Sequence, residues 1–313
     1  MRYLFCVILF FLLFVSGCES ISVDVRIISD QESPISYMPQ GGNYYYGISS
    51  YEDVNRFFSL DSTDIIVSAH RGGSFEYFPE NSIETMDTVL HYMTSFFEID
   101  PRYTKDRVPV LMHDATIDRT TNGTGSLSSF TLEEVRSFRL KDRYGHLTEC
   151  MVPTLEEVIV WSIGKVILNF DQKNVSYQDV LALVNKYNAV NCIYTVHSVS
   201  EAKAILKICP EMRLSAFLGT MEKYNEYNSA GLLDHHVVIA YVESSMLDVD
   251  KEVLYKAIRG KNIRIMVSTA PDQDNQLERK KRISLYSNLV NTHPDIIESD
   301  YPLEFIGLPG IRQ

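Results

Sequence analysis

The stretch IIVSAHRGGSFEYFPENSIETMDTVLHYMTSFFEID, residues 65–100, decides the architecture. Ile65-Ile66-Val67 is a short apolar run that reads as a buried strand, and a loop carrying Gly72-Gly73 follows it. Helical periodicity runs from about Glu80 to Met93, and Phe96-Phe97-Glu98-Ile99-Asp100 reads as the next strand. Two strands joined by a crossover helix are parallel neighbours. Working outward, the same alternation returns: strands are predicted over 166–170, 192–196, 214–218, 237–241, 263–267 and 295–297, with helices between them. Eight β/α units from Ile65 onward fit an α/β fold of the TIM (β/α)8 barrel type, for which about 250 residues is typical. A doubly wound open sheet is the alternative, but the sequence has no G-x-G-x-x-G and no Walker loop.

A small insertion interrupts the alternation after the second strand. Val108–Met112 reads as extended, and residues 114–150 carry turn signals such as Asn122-Gly123. Thr131 and Thr154 each precede a Glu by three residues, the capping-box pattern of a helix start. Before the barrel, residues 49–60 read as a short helix. The chain has 313 residues, with 29 Lys plus Arg against 41 Asp plus Glu, a net charge of −12. So acidic a chain offers no general basic face for nucleic acid, and any phosphate site must consist of a few placed cations.

The N-terminus has its own character. Arg2 precedes the apolar run of residues 3–17, which is short for a membrane span and reads as a signal peptide. Val15-Ser16-Gly17-Cys18 resembles a bacterial lipobox, with cleavage before Cys18 and lipidation of its thiol. The expected organisation is a signal peptide at 1–17, a tether and packing segment at 18–60, and the barrel at 61–310. A lipid on Cys18 would anchor the exported chain to a membrane of the cell envelope without spanning it. Cys150, Cys192 and Cys209 remain, an odd number with no C-x-x-C, so neither a disulfide framework nor a thiolate zinc site is expected.

Reactive groups in such a barrel gather where strands end and βα-loops begin. His70-Arg71-Gly72-Gly73 follows the first strand, Glu98 and Asp100 end the second, His113-Asp114 ends the extended piece, and Asp171 and Lys173 follow the third. Residues two apart on a strand share a face, so Glu98 and Asp100 project together and repel one another unless a cation lies between them. Asp171 can add a third carboxylate, and an all-oxygen set suits a hard divalent cation such as Mg²⁺ or Ca²⁺. Arg71 offers a planar fork for phosphate oxygens and Lys173 a point charge. His70 and His113 can exchange protons near neutral pH. His197, at the end of the fourth strand, is read as a loop residue that would reach the substrate only through its alcohol arm.

The motifs as a set resemble the glycerophosphodiester phosphodiesterase family. They are HRGG at 70–73, PENS at 79–82, FEID at 97–100, TKDRVPVLMHD at 104–114, IDRTTNGTG at 117–125, VPTLEEV at 152–158, NFDQK at 169–173 and SDYP at 299–302. The resemblance spans the whole expected barrel. It implies metal-dependent hydrolysis of small glycerophosphodiesters to an alcohol and sn-glycerol 3-phosphate. It implies His70 and His113 as the acid/base pair, Glu98 and Asp100 as metal ligands with Asp171, Arg71 and Lys173 on the phosphoryl group, and Glu80 and Asn81 as supporting residues.

Two departures stand out. Asp171 occupies a place where the family usually has Glu; the related phospholipase D toxins resemble this version, with Asp and then Lys at that place. Met266-Val267-Ser268-Thr269 replaces the family's Trp-Thr-Val-Asn, which removes an aromatic wall that Phe75, Tyr77 or Tyr241 would have to supply. These departures keep open a second expectation, a lyase or hydrolase acting on lysophospholipids, intact lipids or cell-wall glycerophosphate polymers. The oligomeric state is left open by the sequence.

Overall fold

The computed structural model describes residues 41–270 and 272–312. The expected signal peptide at 1–17 and the expected lipidation site Cys18 lie outside the described residues. Eight parallel strands close into a barrel: β1 (Ile66–Ala69), β2 (Phe96–Ile99), β5 (Leu168–Phe170), β6 (Cys192–Val196), β7 (Arg213–Phe217), β8 (Val237–Tyr241), β9 (Arg264–Ser268) and β10 (Ile296–Ser299). Sequence neighbours pair around the ring, and β1 closes it on β10 with Ile66 opposite Ile296 and Ser68 opposite Glu298. Every strand but its rim is buried on both faces, which is why the strands read as continuous apolar runs.

The period of two sorts the side chains. Ile66, Phe96, Ile167, Ile193, Ile239, Met266 and Ile296 form one apolar cluster inside the barrel. Their outward neighbours, such as Val67, Phe97, Leu168 and Ile297, join a second cluster with the surrounding helices. One step further along the strands, the inward positions become polar: Ser68, Glu98, Asn169 and Glu298 are all buried. The barrel therefore carries an apolar floor and a polar upper layer, and that layer is where the chemistry sits.

The segment before the barrel packs as a plug. Ser50 caps helix α1 (Tyr51–Phe58), whose Val54, Phe57 and Phe58 join the internal floor cluster. Phe58 meets Phe96 edge-to-face at 5.3 Å. The Arg264 guanidinium, 1% exposed, holds the exit of α1 by donating to the carbonyls of Phe58, Ser59, Ser62 and Asp64. From Ile48 onward the expected tether and packing segment is thus packed on the barrel.

The insertion after β2 is an antiparallel hairpin, β3 (Pro101–Tyr103) with β4 (Pro109–Leu111), followed by loops over a small apolar cluster of their own. Both expected capping boxes form, Thr131 with Glu134 at α3 (Leu132–Val135) and Thr154 with Glu157 at α4 (Leu155–Ser162). Helix α2 (Ile83–Tyr92) follows β1, and α5 (Tyr177–Tyr187), α6 (Val199–Ile208), α7 (Met221–Ser229) and α8 (Glu252–Arg259) follow β5 to β8. The sequence pattern predicts the last helix over Asp274–Asn291, but α9 (Arg279–Val290) starts later. Asp274 instead stays in a buried turn, where its carboxylate accepts from Tyr286 Oη, Ser299 Oγ and the Asp300 N–H. That local competition for backbone and side-chain donors favours a turn over a helix start. Among the described residues no helix is long and apolar enough to cross a membrane.

Candidate active site

The chain turns sharply after β1. His70–Gly72 forms a single 3-10 turn in which Arg71 has φ 54° and ψ 32°, a left-handed conformation uncommon for a residue with a side chain. The turn aims the Arg71 N–H at Glu98, whose Oε2 accepts it at 2.7 Å. Gly72 has φ 79°, and a Cβ there would meet Met86 Cγ at 2.9 Å, so both backbone freedom and close approach to α2 require glycine. Asn81 then locks the second strand end to this loop. Its N–H donates to Arg71 O at 2.6 Å, its Nδ2 donates to Asp100 Oδ2 at 2.7 Å, and its Oδ1 accepts the Asp100 N–H at 3.2 Å.

Glu98, Asp100 and Asp171 come together as expected: each offers a carboxylate oxygen within 4.8 Å of the others. Glu98 and Asp100 are buried, and Glu98 Oε1 has no hydrogen-bond partner among the described residues. Burial, joined by the neighbouring charge of Asp100, pushes Glu98 well above the usual carboxylate range, while His70 acts in the other direction. Lys173 supplies part of the compensation, with Nζ 2.9 Å from Asp100 Oδ1 and 2.7 Å from Asp171 Oδ2. Burial works against the ammonium, but the Asp100 and Asp171 carboxylates raise its pKa above the ordinary lysine value. Burial would raise Asp171, yet the His197 hydrogen bond and the Lys173 charge bring it down to about 2. The orphaned Glu98 Oε1 and the all-carboxylate donor set fit a hard divalent cation.

Both histidines are held by a carboxylate through Nδ1. His70 Nδ1 lies 2.7 Å from Asp300 Oδ1, and His113 Nδ1 lies 2.8 Å from Asp114 Oδ1. An Nδ1–H donated to a carboxylate leaves Nε2 for a substrate proton. His70 Nε2 stands 4.0 Å from Glu98 Oε2. Burial would lower His70, but Asp300 and Glu98 outweigh it and lift the imidazole to about 10. Asp114 is in turn clamped by Arg119, Nε to Oδ2 at 2.7 Å. Arg119 also forks onto Glu80, at 2.7 and 2.9 Å, and Arg71 Nη1 reaches the same carboxylate at 3.4 Å. Glu80 therefore ties the loop of one histidine to the loop of the other.

All nine barrel residues singled out in the sequence except His113 stand within this connected set of short contacts, and His113 joins it through Asp114 and Arg119. Besides Asp114, which the sequence reading names without a role, three members are not singled out there. Arg119 and Asp300 lie in the IDRTTNGTG and SDYP stretches, so those motifs held the signal. Glu298 follows two isoleucines on β10, and no sequence pattern marks it. It is buried beside Ser68 Oγ, 3.4 Å away, and desolvation raises its pKa, with His70 opposing.

The missing Trp is answered on the far side of the mouth. His197 packs on Phe217 with ring centres 4.3 Å apart, and Phe217 meets Tyr241 at 4.7 Å. His197 Nε2 is 3.6 Å from Asp171 Oδ1, which brings this histidine closer to the acidic cluster than a plain loop residue. Of the other candidate wall residues, Phe75 is buried against Phe78, and Tyr77 stacks on His146.

The glycerophosphoryl diester phosphodiesterase family model matches residues 70–286. A crystal structure of a glycerophosphoryl diester phosphodiesterase from Parabacteroides distasonis superposes with a TM-score of 0.79 at 38% identity, covering 84% of this chain and 92% of that one. Human glycerophosphodiester phosphodiesterase 1 is 34% identical over 126 residues, 38% of this chain and 37% of its own. A glycerophosphodiester phosphodiesterase of Bacillus subtilis is 36% identical over 112 residues, 32% of this chain and 37% of its own. The chain thus spans under two fifths of the length of these curated relatives. The match of the family model over most of the chain, together with the long alignment to the Parabacteroides structure, places this protein in the glycerophosphoryl diester phosphodiesterase family.

Proposed function

We propose that the protein hydrolyses glycerophosphodiesters to an alcohol and sn-glycerol 3-phosphate, with a divalent cation held by Glu98, Asp100 and Asp171. One observation carries the reading: two histidines, each oriented through Nδ1 by its own carboxylate, border an acidic cluster flanked by Arg71 and Lys173. Phosphoryl transfer depends on charge neutralisation and alignment more than on covalent help, and these are the parts it needs. Arg71 presents its fork to the non-bridging oxygens, and Lys173 balances the charge that Asp100 and Asp171 would otherwise leave in excess. One histidine takes a proton at Nε2 from the attacking hydroxyl or water, and the other gives one to the departing alkoxide. Asp300 and Asp114 hold the two rings in the tautomer this exchange requires. A bound Mg²⁺ or Ca²⁺ would supply Lewis-acid polarisation of the phosphoryl group.

The test is release of sn-glycerol 3-phosphate from glycerophosphocholine and glycerophosphoglycerol, with EDTA and then with Mg²⁺ or Ca²⁺ restored. Release that EDTA stops and a divalent ion restores is the expected result. Turnover of lysophospholipids with none of the deacylated diesters would overturn the reading in favour of lipid-directed chemistry.

We further propose that the enzyme is exported and anchored at the cell envelope through a lipid on Cys18. The support is the positively charged start, the apolar run of residues 3–17 and the lipobox-like Val15–Cys18. Cys18→Ser should move the protein from the membrane fraction to the soluble fraction; a variant that stays with the membrane removes the lipid anchor from the account.

A further inference from the structure

A cavity of about 370 Å³ opens beside the histidine site, between the β1 loop, the insertion after β2 and the end of β10. Four cationic side chains line it: Arg71, Arg119, Lys141 and Arg143. The carboxylates in its wall are already committed. Glu80 is taken by Arg119 and Arg71. Asp300 is taken by His70 and, at 3.4 Å, by Arg143. Asp142 is taken as well: Oδ1 accepts the N–H groups of Tyr144 and His146 in its own loop, and Oδ2 accepts the N–H of Tyr77 from the β1 loop and lies 2.9 Å from His146 Nδ1. The Lys141 ammonium has neither an ion pair nor a hydrogen bond among the described residues. Arg71 Nε is buried and unpartnered among them as well. Arg143 is held in place by stacking on Tyr301, 4.0 Å from the ring centre, which leaves its position fixed rather than its donors exhausted.

The cavity is therefore short of acceptors, and a half-buried ammonium beside fixed guanidinium groups is a ready receptor for phosphate oxygens. It shares Arg71 and Asp300 with the hydrolytic site, so an anion bound here would adjoin the reacting phosphate. Its volume falls in the range of small-molecule pockets. We propose that the cavity receives a second phosphodiester of the substrate, held by Lys141 and Arg143, so that the enzyme selects glycerophosphodiesters carrying more than one phosphate. The proposal rests on the phosphodiesterase reading for the position of the first phosphate.

Binding separates the two assignments, because it needs no turnover. Calorimetric titration of the full chain carrying His113→Ala compares bis(glycerophospho)glycerol, with two phosphates, against glycerophosphoglycerol, with one. The two-phosphate ligand should bind about tenfold or more tightly, and Lys141→Gln in the same background should remove most of that advantage. Arg143→Gln serves as the second variant. Equal affinities for the two ligands, or an advantage that survives both variants, overturns the proposal. A longer glycerol phosphate oligomer identifies the source: binding as tight as that of the two-phosphate ligand points to polymers, and exclusion points to small deacylated lipids, each upholding the pocket. Turnover of glycerophosphoglycerol by the unaltered enzyme reads the phosphodiesterase assignment separately.

Discussion

Replacing His113 by alanine should lower turnover of glycerophosphodiesters by about 10²–10⁴-fold, the range for losing a general acid or base, with little change in folding. The ring is a third exposed at a loop mouth, so its removal opens no cavity in the core. Its position is determined by the chain Asp114–Arg119–Glu80, which remains intact in the variant. An alkoxide is a poor leaving group without a proton, so the substrate chosen also assigns the role. If His113 is the acid, a nitrophenyl ester of glycerol phosphate, whose leaving group needs no proton, should recover much of the lost rate. If His113 is the base, both substrates should fall together. Activity within tenfold of the unaltered enzyme on the natural diesters would take His113 out of the proton transfer. The check is a kcat/KM comparison on both substrates, with the unfolding transition measured beside it.

The parts of this site that were legible in the sequence are those within one strand end. Glu98 and Asp100 share a face by the period of two, and His70-Arg71-Gly72-Gly73 declares a tight turn by its glycines. The barrel itself was legible because each strand is buried on both faces and so reads as an apolar run. Contacts that depend on closure of the ring were not. Asp300 reaches His70 only because β10 lies beside β1, some two hundred residues apart in the chain. Arg119 bridges Glu80 and Asp114 because the insertion folds back over the β1 loop, and nothing in the local pattern sets that path. Asp274 looked like a helix start because acidic residues favour that position, but buried donors on α9 and β10 claimed its carboxylate first. Glu298 follows two isoleucines and reads as part of an apolar strand, yet the inward face at that height is polar.

Substituting Glu98 by glutamine should act on the apo and metal-loaded protein in opposite directions. In the apo protein Glu98 is buried beside Asp100, and its ionised form is disfavoured by burial and by that neighbour. Glutamine keeps the shape, can still accept the Arg71 N–H, and removes one of the repelling charges, so the apo protein should be no less stable and can gain. Metal affinity should fall by about 100-fold or more, at least the effect of losing a partner one shell further out. A ligand at about 100 times its dissociation constant stabilises the folded state by roughly 2.7 kcal/mol, which for a domain of this size is several degrees in Tm. Thermal unfolding with EDTA and with increasing Mg²⁺ or Ca²⁺ reads both effects at once. The unaltered protein should gain several degrees with the preferred ion, and Glu98→Gln should keep or exceed the EDTA value while gaining little at the same ion concentration. An unchanged metal titration in the variant would exclude Glu98 from the ligand set. A fall in apo stability would mean that its charge is balanced within the protein, by Lys173 and His70, and that the orphaned Glu98 oxygen does not require a cation.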